Sequence, residues 1–72
     1  MIDTEFYLRQ AKVVCLSESH IESVVLYFEK HGENFREAAK SLGLSGDAVE
    51  KDCKRLLDVY RQDKAFGKLI GK

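Results

Sequence analysis

The stretch Gly32-Glu-Asn-Phe-Arg-Glu-Ala-Ala-Lys-Ser-Leu-Gly-Leu-Ser45 decides the fold. Asn34 is a favoured N-cap residue, and Glu37 three positions later completes a capping box, so a helix is expected to start here. Ala38 and Ala39 are small enough for a neighbouring helix to come close. Gly43 suits a tight turn with positive φ. Ser45 suits the cap of the next helix, with Gly46 and Asp47 in its first turn, where an acid complements the helix dipole. A short helix, a glycine turn and a second capped helix make a helix-turn-helix scaffold, spanning about residues 34–57.

Downstream of the turn, Val49, Cys53, Leu56, Leu57 and Tyr60 recur at helical spacing and predict a helix to about Gln62. The tail 64–72 sets Phe66, Leu69 and Ile70 against lysines, but Gly67 and Gly71 weaken it. It is expected either to dock as a short fifth helix or to stay loose. Upstream, Ser19 with Glu22 reads as another capping box, followed by the apolar face Ile21, Val24, Val25 and Phe28 and by a stop at His31-Gly32. Leu26 and Tyr27 fall off that face. A first helix capped by Asp3 or Thr4 should run to about Val14 and bury Ile2, Phe6, Val13 and either Leu8 or Ala11. Its apolar positions spread around more than one face, as in a helix that also forms a dimer.

These elements predict an all-α fold, a single domain over 1–72 with four helices or five. Seventy-two residues without Pro, rich in Leu, Glu, Lys and Ala, agree with that class. A chain this short buries only about 60–65% of its unfolded surface, so dimerisation would supplement a small core. Twelve basic residues balance twelve acidic ones. Residues 1–50 nevertheless hold five bases and nine acids, and residues 51–72 hold seven bases and three acids, which leaves one end basic.

Cys15 and Cys53 do not make a disulfide framework; both fall at apolar positions, where reduced Cys behaves as a small hydrophobe. The start of the chain lacks the basic-then-apolar run of a signal peptide, and no apolar stretch is long enough to span a bilayer. A cytoplasmic location is expected. Cys15, His20, His31 and Cys53 match no zinc spacing, and His20 and His31 read as helix-end residues, so no metal or cofactor is expected. No phosphate loop, nucleophile elbow or paired-carboxylate site appears. Glu18 with Glu22 and Glu33 with Glu37 read as solvated helix faces, and an enzyme is not expected.

The segment from about Ile21 to Leu57, roughly half the chain, resembles the C-terminal helix-turn-helix of the Fis family, which includes a bacterial nucleoid protein and the DNA-binding domains of many enhancer-dependent activators. The residues that carry the resemblance are Gly32, Asn34, Ala38, Ala39, Leu42, Gly43, Leu44, Ser45 and Val49. Sigma-factor and LuxR-type units share part of the pattern. In this scaffold Ala39 should sit under the following helix. Leu42, Leu44 and Val49 should seal the wedge between the two helices, and Cys53 with Leu56 should reach back to the second helix. The family commonly has Arg where this chain has Gly46, Thr where it has Ala48, and basic residues where it has Glu50 and Asp52.

The resemblance implies a small DNA-binding protein, a transcriptional or nucleoid-type regulator, dimerising through its first two helices. The helix from Gly46 onward would enter the major groove with Ser45, Asp47, Glu50, Lys51 and Lys54 on its reading face, where Glu can accept from cytosine N4. Asn34, Phe35 and Arg36 would approach a phosphate. Lys51, Lys54 and Arg55 would carry backbone charge, with Arg61, Lys64, Lys68 and Lys72 adding positive charge from the distal end. Acids at Asp47, Glu50 and Asp52 suit a second expectation: a helix-turn-helix-derived module, an inhibitor or adaptor of phage or mobile-element origin, that binds protein and not DNA.

Overall fold

A computed structural model describes residues 2–65, which form four helices: α1 (Thr4–Ala11), α2 (Glu18–His31), α3 (Phe35–Ser41) and α4 (Asp47–Ala65). The fold is all-helical, as the periodicity predicts. α4 is the longest element and the organising one, because α1, α2 and α3 all lie against it. Its inner face buries Cys53, Leu56, Leu57, Val59 and Tyr60 against Ile21, Val24, Val25 and Phe28 of α2 and Ala38 and Ala39 of α3. The two alanines meet α4 with no side chain beyond Cβ, which is why a helix as short as α3 can still be anchored. No helix among the described residues is long and apolar enough to cross a membrane. The expected fifth helix falls largely on residues 66–72, outside the described range.

Helix boundaries differ from the sequence-based expectation in four places. Asp3 caps α1 by accepting from the Phe6 amide at 3.1 Å, but the helix stops at Ala11. Lys12 takes a left-handed conformation (φ 54°) and closes the helix through its N–H to the Leu8 carbonyl. Val13 and Leu16 then turn inward while Val14 and Cys15 face out, so Cys15 is an exposed thiol and not a core residue. The α2 cap is Ser17, two residues before the expected Ser19; its hydroxyl accepts from the His20 amide and lies 3.2 Å from His20 Nδ1. The expected Ser45 cap is also displaced. Gly46 (φ 114°) precedes α4, and its carbonyl accepts from the Glu50 amide at 3.0 Å. α4 itself continues one turn past Gln62 to Ala65.

Tyr7, fully buried, is the centre of the α1 contribution and was not among the residues expected there; Phe6 and Leu8 are only partly covered. Burial holds the Tyr7 phenol far above its ordinary range, with the Asp63 carboxylate adding to the effect. The α1 side chains Tyr7 and Ala11, with Ile2 just before the helix, are taken up by the chain's own core. Phe6 and Leu8, the other apolar residues of α1, pack against that core but stay partly open. On α2, Leu26 stands exposed and Tyr27 half-buried, stacked on His31 at 4.6 Å between ring centroids.

Candidate nucleic-acid interface

The turn between α3 and α4 is built as its sequence suggests. The Asn34 side chain accepts from the Arg36 and Glu37 amides, both at 3.1 Å, and starts α3. At the other end Leu44 N–H donates to the Ala39 carbonyl at 2.8 Å and Gly43 N–H to the Lys40 carbonyl at 3.2 Å. That reciprocal pair is a Schellman closure, which needs a residue of positive φ just past the helix; Gly43 supplies it at φ 73°. Leu44 and Val49 are half-buried in the wedge between the helices. Leu42, expected to seal the same wedge, is exposed instead, at 38%.

Beyond this turn the outer side of α4 is solvent-facing. Ser45, Asp47, Glu50, Lys51, Lys54 and Arg55 are all exposed, as are Asn34 before α3 and Arg36 on it. Positions 47, 50, 51 and 54 are three or four residues apart, so they form one stripe on the side opposite Cys53 and Leu56. Among the described residues no opposite charge lies within 4.0 Å of Asp47, Glu50, Lys51 or Lys54. At the start of α3, the amides of Arg36 and Glu37 are already engaged by Asn34, which weakens that terminus as a phosphate cradle. Arg36 itself extends over the Phe35 ring, its guanidinium carbon 5.8 Å from the centroid.

Asp52 changes the charge expected of this surface. Placed outside by the sequence as a third acid on α4, it is 0% exposed. Its Oδ2 accepts the backbone N–H groups of Val14 and Cys15, and its Oδ1 accepts from Arg55 Nη1 at 3.0 Å. A carboxylate can be buried here because its charge is met by two amide donors and a guanidinium. With Asp52 internal, the exposed charges from Asn34 to Arg55 are Arg36, Lys40, Lys51, Lys54 and Arg55 against Glu37, Asp47 and Glu50. With Arg55 paired to Asp52, four of these bases face the three acids. The sequence signal for this was present: Asp52 lies three residues after Val49 and four before Leu56, on the apolar stripe itself.

The distal bases are less free than expected. Arg61 Nε donates to Glu33 Oε1 at 2.7 Å, and Lys64 Nζ lies 3.7 Å from Glu33 Oε2. These contacts tie the end of α4 to the α2–α3 connection, and Arg61 holds the Glu33 carboxyl below its ordinary range. Lys68 and Lys72 lie outside the described residues. The Cys53 thiol is pushed up to about 11 by burial, with Asp52 and Glu50 adding to it. Among the described residues no group of His, Cys, Asp and Glu is arranged to hold a metal ion. Comparisons with protein-family models, curated proteins and solved structures found no match for this chain.

Proposed function

We propose that this protein is a small DNA-binding helix-turn-helix protein, a transcriptional or nucleoid-type regulator that presents the first two turns of α4 to the major groove. The observation that carries the reading is the unpaired outer stripe Asp47, Glu50, Lys51 and Lys54, set just past the Schellman turn and opposite the core face. A helix fits the major groove, about 12 Å wide, and the stripe lies on the exposed face of α4 just past the turn. The inward position of Asp52 keeps a third acid of α4 off that surface, held against Arg55 instead. Lys51, Lys54, Arg55 and Arg36 take the phosphate contacts that supply most nonspecific affinity. Pairing of two copies over the first two helices, where Leu26 of α2 is exposed, belongs to the same proposal. A monomer in sedimentation at ~50 µM would remove the pairing alone.

The test is a titration against random duplex DNA at low and then moderate salt. Binding in the micromolar range that weakens steeply with salt is expected. Absence of binding at low salt would overturn the reading. It would favour the second one, a protein-binding module, for which the mixed signs of the stripe and the Glu33–Arg61 and Asp52–Arg55 pairs speak.

A further inference from the structure

If α4 docks in the major groove as proposed, the acids on its outer stripe carry information about the DNA, and an inference about base preference rests on that reading. Asp47 opens α4, where an acid is stabilised by the helix dipole whatever the ligand. Glu50 is a full helical turn from Lys54, exposed, and without a cationic partner among the described residues. Next to phosphates an unpaired carboxylate is repelled unless it finds a donor. A carboxylate can only accept, and the groove edges of the four bases differ in what they offer. Guanine shows two acceptors, and thymine an acceptor and a methyl group. Adenine shows a donor beside an acceptor, and cytosine shows its N4 donor alone. Cytosine is the base whose edge a carboxylate meets without repulsion.

The neighbours of Glu50 fit the other half of the same pair. Lys54 follows at i+4 on the same face, and Lys51 is adjacent in the chain, so two ammonium donors lie within reach of the groove beside the carboxylate. Guanine O6 and N7 are the matching acceptors, and in a G·C pair they lie beside the cytosine N4 donor. We infer that Glu50 together with Lys51 or Lys54 reads a G·C base pair, so that the preferred duplex contains G·C steps and α4 discriminates against A·T pairs at this position.

The experiment compares two duplexes of equal length, one with a mixed G·C core and one all A·T, by fluorescence anisotropy at low salt. The wild-type protein is expected to bind the G·C duplex about fivefold or more tightly. Glu50→Gln, an exposed substitution checked by circular dichroism for retained helix, removes one negative charge and should raise affinity for both duplexes. The ratio is the readout that a simple charge effect does not move. It should collapse or tilt toward A·T, since Gln pairs with adenine N6 and N7. Equal binding of both duplexes by the wild type, or an unchanged ratio in the variant, overturns the base assignment and leaves the DNA reading in place. No binding to either duplex overturns the DNA reading and this inference with it.

Discussion

Asp52 Oδ2 accepts the backbone N–H of Val14 at 3.2 Å, joining residues 38 apart in the chain. Through the same carboxylate the α1–α2 connection is fastened to the second turn of α4, and Arg55 is drawn down onto its surface. One buried acid therefore links the core to the face proposed to meet DNA. Asp52→Ala leaves two amides without their acceptor and should cost about 2–4 kcal/mol in urea unfolding. Asp52→Asn keeps an acceptor and should cost about half as much or less. If Asp52→Ala unfolds within about 0.5 kcal/mol of the wild type, the carboxylate does not fasten the loop.

Lys54 is exposed on the proposed docking face, so reversing its charge should weaken binding to random duplex without lowering stability. Lys54→Glu should reduce affinity and also flatten its dependence on salt by about one contact. Glu50→Lys should strengthen nonspecific binding. An unchanged affinity for Lys54→Glu would show that the docking face has been misassigned.

Gly46 holds φ 114°, a conformation L side chains rarely adopt. An Arg at this position would add a base to the proposed docking face but strain the backbone. Gly46→Arg should lower stability by about 1–2 kcal/mol while tightening DNA binding. Thermal melts and anisotropy on the same sample separate the two effects, and a variant as stable as the wild type would argue against the strained φ.

Glu33 links pH to the closure between α4 and the α2–α3 connection. The hydrogen bond from Arg61 lowers its pKa below the ordinary 4.5, with the charges of Arg61 and Lys64 acting in the same direction. A depressed folded-state pKa contributes stability above 4.5 that is lost as pH falls from there through the lowered value. The side chain is partly open to solvent, so the effect is small. Melting temperatures of wild type and Glu33→Gln should differ at neutral pH and converge in acid. A constant gap across the whole range would mean that Glu33 ionisation is not linked to folding.

The two thiols should react at very different rates. Cys15 is exposed, whereas Cys53 is buried and its thiol is pushed up to about 11, so at pH 8 it stays protonated. Ellman's reagent should modify one cysteine quickly and the second only as the chain unfolds. Cys15→Ser should abolish the fast phase, and two fast phases in the wild type would contradict the buried position of Cys53.

Much of this architecture is legible in the chain. The Asn34 cap, the Ala38-Ala39 contact, the Gly43 turn and the α4 stripe are all read from residues within about four positions of each other, because helix starts, stops and faces are set by local hydrogen bonds and periodicity. Where two local signals compete, sequence decides less well. Ser17 and Ser19 are both capable caps, and the choice of Ser17 comes with the inward turn of Leu16. Ser45 and Gly46 compete in the same way, and the backbone takes the path open to glycine.

By itself, then, the sequence determines an all-helical chain with a tight turn between α3 and α4. Which charges face outward is decided only by the tertiary structure. Asp52 finds its amide partners 37 and 38 residues away, and Glu33 meets Arg61 across 28, distances over which helical periodicity carries no information. A carboxylate on an apolar stripe is buried when the rest of the fold brings donors to it and stays in water when it does not. That single placement takes one acid off the outer face around the α3–α4 turn and sets Arg55 against it.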